Sequence, residues 1–320
     1  MCKMKNFALI GASGYIAPRH MEAISKTNNN LVAAFDPYDG IGILDKYFPN
    51  ASYFKEFERF DRYINKLRYS GKKLDFLSIT SPNYLHDSHI RFGLKNNCDI
   101  ICEKPLVLNP HNVEQLILVE KETGKKVNTI LQLRLHPSVI KFKKKVLNDL
   151  IKNPKKIFEI DLTYITSRGK WYFISWKGDD AKSGGISSNI GIHFFDMLNW
   201  VFGPVIESKV HLKKLDTHAG ILHFKNANVR WFLSINQEYI PENLKKDGVK
   251  TYRSLKAEDK EIEFSSGFKD LHLYSYEKIL KGEGFGLIDS YESIKTVSLI
   301  RNQKISDNFK NSHSYIKKIN

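Results

Sequence analysis

Several short runs in this 320-residue chain combine residue types that can do chemistry with spacings that would aim them. The first is Gly11-Ala12-Ser13-Gly14-Tyr15-Ile16-Ala17, a GxxGxxA pattern between a strand-like apolar run and a helical one. Gly11 permits a tight turn, Gly14 lets a pyrophosphate approach the backbone, and Ala17 lets helix and strand pack closely. The start of that helix presents amide donors to phosphate oxygens. Asp36 ends the next apolar run, where a carboxylate accepts hydrogen bonds from ribose hydroxyls and selects NAD over NADP. An arginine able to take a 2′-phosphate would argue the other way, and none directly follows Asp36. The expected cofactor-binding residues here are Gly11, Ser13, Gly14, Tyr15, Ile16 and Asp36, with NAD as the cofactor.

Thr80-Ser81-Pro82-Asn83-Tyr84-Leu85-His86 follows another buried-strand pattern, and Glu103-Lys104-Pro105 follows a third. In a doubly wound sheet such loops line the ligand crevice. Ser81, Asn83, His86, Glu103 and Lys104 are therefore further candidates for the cofactor site, although a polar helix-capping turn also explains some of them. Lys104 would carry its ammonium into the crevice, on a loop stiffened by Pro105. Farther on stands Asn189-Ile190-Gly191-Ile192-His193-Phe194-Phe195-Asp196. In a helix, Asn189, His193 and Asp196 share a face. A histidine of near-neutral pKa is the usual group for taking a proton from an alcohol as hydride leaves carbon. Without context His193 reads equally as a hydrogen-bonded core residue.

The elements that must position these residues follow from periodicity. Strands are expected at Phe7–Ile10, Leu31–Phe35, Tyr53–Phe54, Leu74–Thr80, Asp99–Cys102 and Val127–Leu133, with helices at Pro18–Ser25, Asp87–Asn96 and Asn109–Thr123. This alternation predicts a parallel sheet with helices on its faces. Beyond about His136 the texture changes. A long helix is expected over Ser138–Lys152, a second over Ile190–Phe202, and two more over Leu271–Lys281 and Ser290–Asn302. Strands are expected at Ile157–Ile165, Ser208–Leu212, Ala219–Phe224, Asn228–Ile235 and Thr251–Phe264. Runs of strands predict an open, mostly antiparallel sheet. The expected fold class is thus α/β: a doubly wound domain over 1–136 and an α+β domain over 137–320, whose last helices can pack back on the first.

Composition narrows the setting. The formal net charge of +15 invites a nucleic-acid reading, but the lysines are scattered and no nucleic-acid motif accompanies them. No apolar run is long enough to span a bilayer. Cys2, Cys98 and Cys102 lack metal-ligand spacing and read as reduced thiols. The expectation is a cytoplasmic protein with no structural metal and no nucleic-acid or membrane partner.

In this order, the glycine motif, Ser81-Pro82-Asn83…His86, Glu103-Lys104-Pro105 and the Ser183-Gly184-Gly185 approach to His193 resemble the glucose–fructose oxidoreductase/inositol dehydrogenase (Gfo/Idh/MocA) family. The resemblance implies a Rossmann domain and roles for Lys104 and His193 facing nicotinamide and substrate. Asn189 departs from the aspartate many members carry, and an amide cannot act as a proton acceptor. A narrower resemblance is to bacterial UDP-N-acetyl-2-amino-2-deoxy-D-glucuronate 3-dehydrogenases. It rests on Gly14-Tyr15-Ile16-Ala17-Pro18-Arg19-His20, Asp161 through Gly169, Ser175-Trp176-Lys177-Gly178-Asp179 and Asn189-Ile190-Gly191-Ile192-His193. What it implies is oxidation of the C3 hydroxyl of a UDP-linked sugar acid, in making a diacetamido uronic acid for surface polysaccharide. His193 would accept the hydroxyl proton and Lys104 would stabilise the oxygen, with the choice of formal base left open. Arg168, Lys177, Asn189, His193 and Asp196 would contact substrate, while Trp171, Tyr172 and Trp176 either pack or shape the loop. Thr251-Tyr252-Arg253-Ser254 is a further candidate for the nucleotide. The subgroup also implies a homotetramer, and 2-oxoglutarate as hydride acceptor in some members. Alternatives are a same-family enzyme acting on another sugar or polyol, and an NAD-sensing regulator without catalysis.

Overall fold

The computed structural model describes residues 4–40, 42–258, 260–262 and 270–319. These form two compact units: Met1–Gln132 with Asp270–Tyr291, and Leu133–Lys269 with Glu292–Asn320.

The first unit is built on a six-stranded, wholly parallel sheet of β1 (Asn6–Ile10), β2 (Asn30–Phe35), β3 (Ser52–Phe54), β4 (Phe76–Ile79), β5 (Asp99–Cys102) and β6 (Val127–Thr129). Their order, β3-β2-β1-β4-β5-β6, reverses direction between β1 and β4, which places a ligand crevice at the carboxyl ends of those two strands. Strands covered on both faces need continuous apolar runs, and Phe7, Ala8, Leu9 and Ile10 are all fully buried. The connecting helices are α1 (Ala17–Lys26), α2 (Ile43–Tyr47), α3 (Phe57–Tyr69), α4 (His86–Lys95) and α5 (Pro110–Thr123). Helix α1 buries Ala17, His20, Met21 and Ile24, the spacing of one helical stripe. In α5, Pro110 starts the helix, and Gly124 in the left-handed region (φ 65°) ends it.

The second unit begins with α6 (Pro137–Lys152) and is organised on a sheet of order β12-β11-β7-β10-β9-β8. Its strands are β7 (Phe158–Thr166), β8 (Val205–Lys213), β9 (Thr217–Phe224), β10 (Ala227–Ser234), β11 (Thr251–Ala257) and β12 (Lys260–Ile262). Only β7 and β10 pair in parallel; the other four pairings are antiparallel. Between β7 and β8 run α7 (Trp171–Ile174), α8 (Asp180–Ser183) and α9 (Ile192–Phe202), and α10 (Glu242–Lys246) precedes β11. Helices α11 (Leu271–Leu280), which belongs to the first unit, and α12 (Leu287–Asn302) follow.

Four local expectations are corrected. The strand expected through Leu133 ends at Thr129, because Leu131 turns back to bond the Thr129 carbonyl and a 3₁₀ turn follows over Gln132–Leu135. The strand expected over Thr251–Phe264 is a hairpin turning at Glu258 (φ 50°); positions 263 and 264 lie outside the described residues. The helix expected from Ile190 starts at Ile192, after a π-helical turn over Ser187–Gly191. Helix α3 was not expected, since only Phe60 and Ile64 are buried along a segment rich in charge.

Candidate active site

Gly11 sits at φ +90° where β1 ends, and a Cβ there would lie 2.6 Å from the Ser81 amide nitrogen. Only glycine lets the first turn press against the loop after β4. Thr80 completes this contact, its hydroxyl donating to the carbonyls of Ile10 and Gly11 at 2.9 Å each. The Ser13 amide donates to Asp36 Oδ2 at 3.0 Å, and the Tyr38 amide donates to Oδ1 at 3.0 Å. Asp36 is therefore tied to the glycine turn itself. The amides of Gly14 and Ala17 are used within the turn, whereas those of Tyr15 and Ile16 have no acceptor among the described residues. Two open amides at the start of α1, beside a carboxylate at the end of β2, fit the phosphates and ribose of NAD. The Tyr15 side chain is 89% exposed, so Tyr15 contributes to this cradle through its backbone.

The loops after β4 and β5 are tied together by a histidine. His86 is fully buried, and its ring nitrogens lie 2.8 Å from the Ser81 carbonyl and 2.8 Å from the Pro105 carbonyl. A neutral ring donates to one of these acceptors at a time; burial pushes the ring's pKa down against the pull of both carbonyls. His86 thus acts on the cofactor site through the loops it holds. The Ser81 hydroxyl pairs with His89 Nδ1 at 2.9 Å, and Asn83 is buried in the same turn.

Glu103 is the centre of a buried cluster. Its Oε1 faces His20 Nε2 at 3.0 Å and His272 Nε2 at 2.9 Å, and its Oε2 accepts from the Lys104 amide at 3.2 Å. His20 Nδ1 meets the Tyr276 hydroxyl at 2.8 Å, which in turn meets Ser78 Oγ at 2.8 Å. Burial alone would raise the Glu103 pKa; the two imidazole donors outweigh it and hold the carboxyl well below its ordinary value. Lys104, half-buried and followed by a cis Pro105, projects from the residue next to this anion.

In the second unit, positive-φ glycines at 184 and 185 bring the chain into the π turn that precedes α9. The turn contains Asn189, while His193 and Asp196 lie one turn apart in regular α9. Asn189 is buried and donates through Nδ2 to the Tyr172 hydroxyl at 2.7 Å. Asp196 is buried in a two-point pair with Arg134, Nε to Oδ2 at 3.0 Å and Nη2 to Oδ1 at 2.8 Å. His193, between them, stays half-buried in the first turn of α9. Asp196 thus anchors α9, and His193 is the partly accessible titratable group of the three.

The excursion between β7 and α9 carries the remaining candidates. The Lys177 ammonium lies 4.7 Å from the Trp176 ring centroid and 5.4 Å from that of Trp171. Burial lowers its pKa, and the nearby Arg168 guanidinium lowers it further. Neither cation pairs with a carboxylate among the described residues; Arg168 donates to the Ser167 carbonyl. Tyr172 packs inside, while Trp171 is 52% exposed.

Sequence reasoning missed His20, His272, Tyr276 and Ser78 around Glu103, Arg134 behind Asp196, and His89 beside Ser81. His20 lay in a quoted motif but without a role. The others have no local signature, because their partners come from remote parts of the chain.

Comparison with known proteins agrees with this geometry. Residues 5–130 match the model of the oxidoreductase family with an NAD-binding Rossmann fold (GFO_IDH_MocA), and residues 143–245 match its C-terminal alpha/beta domain. The WlbA (WbpB) dehydrogenase of Thermus thermophilus is 45% identical, covering 98% of this chain and 100% of that one, with a TM-score of 0.93. It has been crystallised with NAD and alpha-ketoglutarate and with NAD and UDP-GlcNAcA. The Bacillus subtilis protein YteT is 28% identical over 213 residues, which is 62% of this chain and 47% of that protein. The D-glucoside 3-dehydrogenase of Escherichia coli is 25% identical over 140 residues, 42% of this chain and 38% of that enzyme. The aligned segments thus span less than half the length of these two relatives. Glycine turn, acidic strand end, lysine loop and histidine helix all fall within or beside the matched segments, and the chain belongs to the Gfo/Idh/MocA family of NAD-binding oxidoreductases.

Proposed function

We propose that this oxidoreductase converts the C3 hydroxyl of UDP-N-acetyl-D-glucosaminuronate to a ketone. The observation that carries the reading is the 45% identity, over 98% of the chain, to a Thermus thermophilus dehydrogenase crystallised with NAD and UDP-GlcNAcA. NAD, when bound, supplies the hydride acceptor. The amides of Tyr15 and Ile16 bind its phosphates and Asp36 its ribose, while Ser81, Asn83, His86 and Glu103 shape the loops around it.

His193 Nε2 or Nδ1 takes the proton of the reacting hydroxyl, and the Lys104 ammonium hydrogen-bonds that oxygen as negative charge develops. Asn189 cannot take the proton itself. Arg168 and Lys177 hold the anionic part of the substrate, the diphosphate or the carboxylate, because their charges have no acid partner in the loop. Trp171 and Trp176 shape that loop. Asp196 supports α9 through Arg134. Alpha-ketoglutarate in one of the Thermus thermophilus crystals supports a second role, as the acceptor that regenerates NAD. We also assign the protein to the cytoplasm as a homotetramer serving surface-polysaccharide synthesis; among the described residues no helix is long and apolar enough to cross a membrane.

The test is to incubate the purified protein with UDP-N-acetyl-D-glucosaminuronate, with and without added NAD and 2-oxoglutarate, and to follow nicotinamide absorbance and product mass. A sugar nucleotide lighter by two hydrogens supports the reading. Bound NAD with no change in the sugar removes this substrate and favours another sugar or polyol.

A further inference from the structure

In the reaction just described Glu103 only shapes the loops around the cofactor, yet its carboxylate gathers donors from α1 and α11, and the network runs on through Tyr276 to Ser78 on β4. Its protons can be assigned one by one. An ionised carboxylate only accepts, so His20 and His272 each donate from Nε2 to Oε1. With its ring neutral, His20 Nδ1 accepts from the Tyr276 hydroxyl, which accepts in turn from Ser78. His272 Nδ1 is buried with no partner. The geometry therefore describes one anion held by two imidazole donors. The three ligand atoms lie within 4.8 Å of one another, close enough for a metal ion, but the donor–acceptor assignment is already complete with protons in those places.

We propose that His20 and His272 are positioning residues for Lys104: they clamp the Glu103 carboxylate as an anion, and that anion fixes the lysine loop and favours the charged form of Lys104. Besides Lys104 itself, the titratable groups set against Glu103 among the described residues include His20 from α1, His272 and Tyr276 from α11, His86 from α4 and Cys102 on β5. The two imidazole donors are the side chains that hydrogen-bond its carboxylate. The carboxylate also accepts from the Lys104 backbone amide, which couples its position directly to the loop. The role of Lys104 in turnover rests on the function proposed above; its titration does not.

The experiment uses the full chain with its lysines carrying 13C-labelled methyl groups, the Lys104 resonance being the one lost in Lys104→Arg. Glu103→Gln is expected to lower the Lys104 pKa by about one unit. His272→Leu, which removes the donor, is expected to move the pKa in the same direction and to lower kcat about tenfold with little change in KM. His272→Gln keeps a donor at the Nε2 position and is expected to restore both. An unchanged Lys104 pKa in folded Glu103→Gln and His272→Leu overturns the proposal. So does one equivalent of a divalent metal in the wild-type protein that His272→Leu loses. If the sugar nucleotide is not oxidised at all, the titration still decides the question, so the two readings fail separately.

Discussion

The Glu103 cluster and the Arg168–Lys177 loop handle charge in opposite ways. Around Glu103, a buried carboxylate meets two imidazole donors and a backbone amide, and the network runs on through Tyr276 to Ser78. At the loop, two cations are held near each other with aromatic rings beside them, and neither pairs with a carboxylate among the described residues. The first arrangement is electrically complete from within the chain, so a ligand adds nothing to it. The second is completed only by something from outside. On the function proposed above, the difference separates groups that support a site from groups that receive a substrate, even where both carry charge in partly enclosed surroundings.

The largest effect should come from the residues assigned to the reacting atoms. His193→Asn and Lys104→Ala should each lower turnover by roughly 10²–10⁴-fold in steady-state assays, the usual contribution of a positioned proton-transfer group. Near-wild-type turnover in both would remove the proposed chemistry.

Next is the closed cluster. Glu103→Ala leaves two buried imidazole donors without their acceptor and should cost about 2–5 kcal/mol in denaturant unfolding. A loss below about 1 kcal/mol would mean that the cluster is not the closed network described.

The same cluster sets an acid limb of stability. The Glu103 pKa is lowered, so its stabilisation is present above its unfolded value and is lost as pH falls. His20 is also lowered from 6.5, chiefly by burial, so the unfolded chain binds the proton first and acid again favours unfolding. Both signs agree: stability should begin to fall below about pH 6.5 and continue falling through the carboxylate range. The limb should be shallower in Glu103→Gln, and melting temperature against pH reads it directly.

The smallest effect belongs to the open loop. Lys177→Met should change stability by no more than about 0.5 kcal/mol while weakening UDP-sugar binding about tenfold. Because burial and Arg168 lower the Lys177 pKa from 10.5, wild-type affinity for the anion should fall as pH rises, beginning before pH 10.5 is reached, and calorimetric titration should show the fall blunted in the variant. Equal affinity in both proteins would place the anion elsewhere.

The parts of the site readable from the sequence are those made by neighbours along the chain. Gly11, Gly14 and Asp36 belong to one strand–turn–helix–strand unit, whose periodicity and turn chemistry are local. The loops bearing Ser81 and Lys104 were legible because each follows a short, continuous apolar run. Helix α3 was missed because its buried face is reduced to Phe60 and Ile64. The π turn was missed because a one-residue widening of a helix leaves the same apolar residues in the same order.

By itself the sequence determined the alternation of apolar runs, the glycine turn and the identity of the groups able to move a proton, since these follow from backbone sterics and side-chain chemistry within a few residues. Only the tertiary structure decided that Glu103 meets His20, 83 positions away, and His272, 169 positions away. It also decided that Arg134 neutralises Asp196 across 62 positions, while Arg168 and Lys177 pair with no acid among the described residues. Burial strengthens each of these interactions and makes an unpaired group costly, and burial is a property of the packed chain that no stretch of sequence carries alone.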